Sequence, residues 1–270
     1  MNASACLWLF GAQLAATFIA VLPVTRHEEI LRRVRSSGVV SVATLAADLG
    51  VSASTIRRDL QTLDAEGALR RIRGGAGTVE ADEVPFDTVD TVASAEKDAV
   101  ARRAAQLVRD GEVLLLDIGT TTARLARYLR GRRVTVITSS LAVIDQLRDD
   151  EAVELVVLGG VLRRNYLSMV GMLTEEALKQ IRAHRLFLGT SGIRRDGQIM
   201  DSTLVEVPVK RAMMAAAEQT VVLADRGKFP GSGLLRVCGP EDVDVLVTNR
   251  GVDEAAVAVW ADARAEVLYA

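Results

Sequence analysis

A polar stretch between residues 52 and 61 carries two adjacent arginines and several hydroxyl side chains. On a helix that starts after Ser52, the apolar Ile56, Leu60 and Leu63 share one face and the polar side chains lie on the other face or at its edge. Arginines at such positions can donate paired hydrogen bonds to guanine edges or phosphates, and hydroxyls near a helix start can bind phosphates or base edges. The predicted DNA contacts on this helix are Ser52, Ser54, Thr55, Arg57, Arg58 and Gln61.

A basic segment with adjacent glycines follows this helix. The run from Leu69 to Gly75 is typical of a short basic strand with a flexible tip. Its arginines can hold the DNA backbone or enter the minor groove. The alternative is a solvated charged helix followed by an ordinary β-turn. The predicted contacts in this segment are Arg70, Arg71 and Arg73.

Glycines, hydroxyl residues and charged residues also follow the apolar strands predicted in the C-terminal part. Ligands bind at the carboxyl ends of strands in open α/β sheets. Backbone N–H groups at a helix start bind phosphate, Lys228 can neutralise it, and Asp117 and Asp225 can accept hydrogen bonds from sugar hydroxyls. The predicted ligand contacts are Asp117, Gly119, Thr120, Thr121, Thr122, Ser139, Ser140, Gly159, Gly160, Asp225 and Lys228.

One part of this set has a plain alternative. The run from Gly119 to Thr122 can be an ordinary capped helix start. It is not a Walker motif, because no Gly-Lys-Ser/Thr sequence follows. The prediction of a ligand site therefore depends on the whole set of strand ends rather than on this run.

The residues around the first polar stretch predict a winged helix-turn-helix over residues 25–79. Ile30 and Val34 lie one turn apart on a first helix, Ser41 caps a second helix, and Gly50 supplies the turn before the third. The basic segment then forms the wing. This arrangement positions the arginine-bearing helix for a DNA groove.

The remaining sequence alternates between strand and helix signals and predicts an α/β fold with a mainly parallel sheet over residues 96–270. A polar segment, residues 80–95, is predicted to be a linker with an extended piece. A helix is predicted from Glu96 to Arg109, and six strands follow at about residues 113–117, 134–138, 153–158, 185–188, 220–224 and 243–247.

The charge distribution agrees with a basic N-terminal domain, the head, attached to an acidic C-terminal domain, the body. Nine arginines and six acidic residues give residues 26–77 a net charge of +3, whereas the whole chain carries −2. Two cysteines, Cys6 and Cys238, and two histidines, His27 and His184, make no disulfide framework and no metal-ligand pattern. We therefore expect no metal, no cofactor and a reducing cytoplasm as the location.

Residues 1–24 form an apolar leader with no charged residue. Three explanations remain open. Translation can begin later, at Val24; the leader can be a membrane anchor, with Arg26, Arg32, Arg33 and Arg35 holding the next segment inside; or it can be an additional buried helix. No membrane contact is expected unless the leader is translated.

The motifs of both halves resemble the DeoR family of bacterial transcriptional regulators. In the head the resemblance rests on residues 51–60 (VSASTIRRDL) together with residues 71–76 (RIRGGA). In the body it rests on residues 116–121 (LDIGTT), 136–140 (VITSS), 158–160 (LGG), 209–213 (VKRAM) and 223–229 (LADRGKF). The resemblance implies a sensor domain similar in fold to ribose-5-phosphate isomerase that binds phosphorylated sugars without turning them over.

The resemblance also implies roles for individual residues. Asp225 and Lys228, with Lys97, are implied in the response to the ligand, and Glu206 and Lys210 are implied to line the same cleft. Asp59 is expected to orient a neighbouring arginine rather than contact DNA. Two positions depart from the family pattern. Ser139 stands where the family usually has Asn, and Val89 stands where it often has Arg, so the identity of the ligand is less well defined than the site.

The sequence therefore predicts a DNA-binding transcriptional regulator, a repressor of a sugar-metabolism operon relieved by a phosphorylated sugar. Its expected partners are operator DNA, the phosphorylated sugar and further copies of itself in a dimer or tetramer. One alternative is a phosphosugar isomerase or deaminase with Asp117, Asp225 or Glu206 as general base. The attached DNA-binding head argues against it. The other alternative is a body that only mediates oligomerisation.

Overall fold

The computed structural model describes residues 23–37, 39–65, 68–72, 74–77, 84–231 and 233–270. They divide into two compact units, which lie within Met1–Glu83 and Val84–Ala270 and are called the head and the body below. In the ranges that the structure describes, no helix is long and apolar enough to cross a membrane. The predicted leader lies outside these ranges, apart from its last two residues.

The head consists of three helices and a small antiparallel sheet. In chain order its elements are α1 (Pro23–Ser37), β1 (Val39–Ser41), α2 (Val42–Leu49), α3 (Ala53–Ala65), β2 (Arg70–Ile72) and β3 (Gly75–Gly77). The strands pair in the order β1-β3-β2. This is the winged helix-turn-helix that the sequence predicts.

Local signals set the helix boundaries in the head. The Ser41 hydroxyl accepts a hydrogen bond from the Thr44 N–H at 3.0 Å and caps α2. Gly50 ends α2 with a φ of 64°, a left-handed conformation that glycine adopts without strain. The Ser52 hydroxyl accepts from the Thr55 N–H at 3.1 Å and starts α3. The sequence predicts both caps and the glycine turn.

The apolar faces of the three helices meet in one core, in which Ile30, Leu45 and Ile56 are fully buried. A buried ion pair lies beside it. Arg26 donates to both carboxylate oxygens of Asp59, at 2.6 and 2.9 Å. Burial raises the pKa of the Asp59 carboxyl, but the hydrogen bonds from Arg26 and His27 outweigh it and lower the pKa. Asp59 holds an arginine, as expected, and that arginine is Arg26; that Asp59 does not contact DNA stays a prediction.

The body is an α/β unit built on a seven-stranded sheet. Its strands are β4 (Val113–Leu116), β5 (Thr135–Thr138), β6 (Glu154–Val157), β7 (Val161–Arg163), β8 (Ser168–Val170), β9 (Ala183–Gly189), β10 (Gly192–Ile193), β11 (Ile199–Asp201), β12 (Ala217–Ala224), β13 (Leu235–Cys238), β14 (Val245–Thr248) and β15 (Glu266–Tyr269). Its helices are α4 (Phe86–Thr91), α5 (Ser94–Ala105), α6 (Thr120–Leu129), α7 (Leu141–Leu147), α8 (Met172–Leu178), α9 (Glu206–Ala216) and α10 (Glu254–Asp262).

The large sheet has the strand order β15-β14-β12-β9-β4-β5-β6, and every pairing in it is parallel. Alternate residues of the central strands enter two separate cores. Leu114 and Leu116 pack with α5 and α6, whereas Leu115 packs on the opposite side with α9. Because both faces are covered, the strands are continuous apolar runs, as expected of a buried parallel sheet. The predicted fold class is confirmed.

Three features of the body differ from the prediction. Residues 86–91 form α4 where the sequence predicts a linker with an extended piece, because six residues are too few to show a helical period and tertiary contacts hold them. Helix α5 begins at Ser94 and ends at Ala105, not at Arg109. Strand β15 and the two small antiparallel sheets, β7-β8 and β10-β11-β13, are not predicted.

Candidate functional site

The exposed face of α3 carries the arginines that the sequence assigns to DNA. Ile56, Leu60 and Leu63 are buried, whereas Arg57 and Arg58 are exposed. Among the described residues, neither guanidinium makes a hydrogen bond or an ion pair. Ser54 and Gln61 are exposed on the same helix, and Thr55 is half-buried. The polar face therefore presents free donors of the kind that bind base edges and phosphates.

The start of α3 and the wing flank these arginines. The hydroxyl of Ser52 lies 2.7 Å from that of Ser54 and 2.8 Å from that of Thr55, so the three form one cluster. Arg70 and Arg71 are exposed on β2. A Cβ on Gly75 would lie 2.3 Å from the Val40 carbonyl oxygen, so the close pairing of β3 with β1 requires glycine there. Arg73, also predicted as a contact, lies outside the described residues.

The body contains a cavity at the carboxyl ends of its parallel strands. Its wall includes eight of the predicted ligand contacts: Lys97, Gly119, Thr120, Thr121, Thr122, Glu206, Lys210 and Lys228. They come from four separate parts of the chain, which the sheet brings to one edge. This is the position expected of a ligand site in an open α/β fold.

One part of the wall is suited to an anion. Helix α6 begins at the cavity, and its N-cap residue, Gly119, has no side chain to accept from the first-turn N–H groups. Its φ of 131° is a conformation that favours glycine. The N–H groups of a first helical turn have no partner within the helix and attract negative charge. Thr120, Thr121 and Thr122, which supply these groups, line the cavity.

Two lysines add positive charge to this wall. Lys97 is buried on α5, and its ammonium donates to the Val89 carbonyl oxygen at 2.6 Å. Lys228 is half-buried on a 3-10 turn, Arg226–Lys228. Burial and the neighbouring charge of Lys228 lower the pKa of Lys97. Neither lysine makes an ion pair with a described carboxylate, so an anion would relieve their repulsion.

A buried charge cluster lies against the same cavity. The Lys210 ammonium donates to Asp117 and to the Gly189 carbonyl oxygen, and lies 3.6 Å from Asp201. Burial lowers the pKa of Lys210, but the charges of Asp117 and Asp201 outweigh it and hold the pKa above its ordinary value. Asp117 also accepts from the Gly189 N–H at 2.9 Å. These bonds all end on Oδ2 of Asp117; its Oδ1 is buried without a hydrogen-bond partner among the described residues, but Asp117 does not line the cavity.

Glu206 differs from Asp117 because it lines the cavity, and one of its carboxylate oxygens is also free. Its Oε1 accepts from the Ser168 hydroxyl at 2.6 Å and from Arg163. Its Oε2 is buried and has no hydrogen-bond partner among the described residues. Burial raises the pKa of the Glu206 carboxyl, and the charge of Arg163 opposes this. A buried acceptor without a donor is costly, so this oxygen is a place for a ligand hydroxyl.

Six predicted ligand contacts do not line the cavity: Asp117, Ser139, Ser140, Gly159, Gly160 and Asp225. Several have internal roles instead. Ser140 caps α7 by accepting from the Val143 N–H, and Asp225 caps the 3-10 turn by accepting from the Gly227 N–H at 2.9 Å. A Cβ on Gly160 would lie 2.6 Å from the Val170 carbonyl oxygen, so packing accounts for that glycine.

The cavity wall also contains residues that the sequence does not single out as ligand contacts. They are Val89, Ile118, Arg163, Tyr166, Gly189, Thr190, Ser191, Asp201, Ser202, Thr203 and Leu223. Residues 201–203 are an acidic and hydroxyl run that a search for polar clusters would have found. Arg163 and Tyr166 belong to the β7–β8 hairpin, which carries no local signal of a ligand site.

Together these observations define the class of the protein. A winged helix-turn-helix with an unpaired arginine face, joined in one chain to an α/β unit with a basic cavity, is a DNA-binding transcriptional regulator. The sequence matches the family model described as DeoR-like helix-turn-helix domain over residues 26–82 and the one described as DeoR C terminal sensor domain over residues 92–250. The chain belongs to the DeoR family.

Curated relatives agree with this assignment. The chain is 36% identical over 227 residues to the Glycerol-3-phosphate regulon repressor of Haemophilus influenzae, covering 83% of this chain and 88% of the relative. It is 33% identical over 232 residues to the Putative aga operon transcriptional repressor of Escherichia coli O157:H7, covering 84% of this chain and 86% of the relative. These relatives are named as repressors, not as enzymes, as the sequence predicts for this chain.

Solved structures similar to this chain are more distant. Ribose 5-phosphate isomerase A from Methanocaldococcus jannaschii is 21% identical, with a TM-score of 0.37, over 49% of this chain and 52% of that chain. The eIF2B beta subunit from Chaetomium thermophilum is 18% identical, with a TM-score of 0.44, over 63% of this chain and 53% of that chain.

Proposed function

We propose that the protein represses a sugar-metabolism operon and that a phosphorylated sugar or polyol, bound in the body cavity, weakens its hold on operator DNA. The observation that carries the ligand half is the uncapped start of α6 at the cavity together with Lys97 and Lys228. Helix N-termini and unpaired lysines are the groups that proteins use for phosphate monoesters. The name of the Haemophilus influenzae relative, a glycerol-3-phosphate regulon repressor, agrees with such a ligand.

The remainder of the cavity suits the hydroxyl end of this ligand. The free Oε2 of Glu206 is a hydrogen-bond acceptor, and Ser202 and Thr203 add hydroxyl groups to the wall. The sequence assigns the sugar hydroxyls to Asp117 and Asp225, and neither lines the cavity. We therefore assign the acceptor role to Glu206.

The DNA half of the proposal rests on the free arginines of α3. In this proposal the protein is a homo-oligomer, a dimer or tetramer, that places two α3 helices in successive major grooves. The ligand can weaken operator binding only if it binds one conformation of the protein better than another. The cavity residues themselves need not contact DNA.

Isothermal titration calorimetry on wild type and Lys228→Ala tests the phosphate assignment. The ligands are inorganic phosphate, glycerol 3-phosphate, ribose 5-phosphate and glucosamine 6-phosphate. We expect Lys228→Ala to weaken binding of the phosphate esters at least about tenfold, because it removes a charge-assisted contact, and to leave operator binding intact without ligand. Lys179→Ala, at an exposed lysine that does not line the cavity, is the control. If no phosphate ester binds the wild type, the sensing half of the proposal is wrong.

Glu206→Gln tests the hydroxyl assignment separately. Wild type should prefer glycerol 3-phosphate to propyl phosphate, which lacks the hydroxyls, and the variant should lose most of this preference while still binding inorganic phosphate. Glu218→Gln, an exposed acid on β12, should behave as wild type. An unchanged preference in Glu206→Gln would remove Glu206 from the ligand contacts.

A further inference from the structure

Helix α4 makes three contacts with the elements that form the cavity wall. At its start, the Phe86 N–H donates to the Asn165 carbonyl oxygen at 2.9 Å. The Phe86 ring also packs edge-on against Tyr166, with ring centroids 5.9 Å apart. Tyr166 lines the cavity, so this first contact joins α4 to the cavity wall.

The second contact joins α4 to the predicted phosphate site. Val89 lines the cavity, and its carbonyl oxygen accepts from the Lys97 ammonium. A lysine ammonium has three N–H donors. Lys97 can therefore keep its bond to Val89 while it donates to an anion.

The third contact is an ion pair at the end of the helix. Arg124, which is buried on α6, donates to the Asp90 carboxylate at 3.0 Å and to the Asp90 carbonyl oxygen at 2.9 Å. Arg124 lies one helical turn beyond Thr120, the first residue of α6. The helix whose N-terminus faces the cavity thus also holds α4.

In the chain, α4 is the first element of the body after the segment that leads from the head. We propose that α4, called the strap below, is held more firmly against the cavity wall when an anion binds. In this way the strap transmits the binding of the ligand in the cavity to the head. This inference rests on the proposed function and specifies its regulation. Without an anion, Lys97 and Lys228 repel each other; an anion offsets that repulsion and fixes the position of the Lys97 ammonium, which also holds the Val89 carbonyl oxygen.

Hydrogen–deuterium exchange of the full chain tests the proposal, with inorganic phosphate as the probe and chloride at equal ionic strength as the reference. Phosphate should slow exchange in residues 86–92 by about threefold to tenfold, because their backbone opens less often. The first turn of α6 should slow as well. Slower exchange in α6 with no change in α4 would overturn the strap and leave the phosphate site intact. No change in either segment would overturn both.

Two variants on α4 provide a matched comparison in the absence of phosphate. Asp90→Asn removes the charge that Arg124 holds, and we expect exchange in residues 86–92 to accelerate about fivefold. Asp87→Asn makes the same change at an exposed carboxylate of the same helix. It removes only a favourable charge in the first helical turn, so it should accelerate exchange less than Asp90→Asn. If the two variants exchange alike, Arg124 does not hold the strap.

The same pair of variants tests the regulatory part, with the phosphate esters of the calorimetry panel as ligands. Asp90→Asn should reduce the ligand-induced loss of operator affinity at least about threefold, within the usual range of allosteric coupling, whereas Asp87→Asn should keep it. Ligand affinity without DNA is measured in parallel. An unchanged operator response in Asp90→Asn, with exchange accelerated as expected, would show that α4 moves without passing on occupancy.

Discussion

The exposed face of α3 in the head and the interior of the body use positive charge in opposite ways. In the head, Arg57 and Arg58 are exposed and have no partner among the described residues. In the body, Lys210 is fully buried and contacts Asp117 and Asp201, and Arg124 is buried against Asp90. Charges that await an external polyanion cost little to keep in water, whereas charges removed from water need a partner. The fold supplies that partner for Lys210 and Arg124, and in our proposal a bound anion supplies it for Lys97. The comparison separates charged residues that are available to bind DNA from charged residues that stabilise the fold.

The largest effect should come from removing the central buried lysine. Lys210→Met leaves Asp117 and Asp201 buried without their cation, and we expect it to lower the free energy of unfolding of the body by about 3–5 kcal/mol. Urea unfolding followed through Trp260, which is buried in the body, measures this change. Lys179→Met at an exposed position is the control and should change stability by less than about 0.5 kcal/mol. Equal stability of the two variants would show that the buried Lys210 does not stabilise the body through Asp117 and Asp201.

The buried ion pair of the head should have the next largest effect. Asp59→Asn weakens both bonds from Arg26 and should cost about 1.5–3 kcal/mol of head stability. The folded-state pKa of Asp59 is below its unfolded value, so the pair stabilises the head above about pH 4 and this contribution is lost as the pH falls through the folded pKa.

Protection of the α3 amides against hydrogen exchange, measured at pH 7 and at pH 3, checks this prediction. Wild type should lose protection on acidification, and Asp59→Asn should lose less because it starts from a lower value. If the acid sensitivity of the variant equals that of wild type, Asp59 does not contribute to it.

The sequence predicts features that local residues determine and misses those that tertiary contacts determine. Ser41, Gly50 and Ser52 act on the chain within three or four residues, so the helix-turn-helix and its exposed arginines could be predicted. Lys210 and Asp117 are 93 residues apart. The sequence places both near the site, but nothing local indicates that they pair with each other.

The same distinction explains the missed elements. Helix α4 is too short to show a helical period, and contacts with Tyr166, Lys97 and Arg124 hold it. Strand β15 lies at the edge of the sheet and is only partly buried, so its apolar pattern is weak. Arg163 reaches the cavity because the β7–β8 hairpin folds there, and a count of strands and helices cannot show this.

A smaller and more selective effect is expected on the exposed face of α3. Arg57→Ala and Arg58→Ala should each cost about 1–3 kcal/mol of operator binding if the side chain contacts a base, with stability changed by less than about 0.5 kcal/mol. Arg148→Ala, an exposed arginine of the body, is the control. Full operator affinity in both α3 variants would show that another face of the head contacts DNA.

The most direct test of the account is a fluorescence anisotropy titration of the full chain onto the DNA upstream of its own gene. It is repeated over a range of salt concentrations, with and without the panel of phosphate esters. We predict tight binding, with the logarithm of the affinity falling linearly with the logarithm of the salt concentration. At least one ester should weaken this binding further, by about 5- to 150-fold. Absence of salt-dependent binding to this DNA would contradict the account.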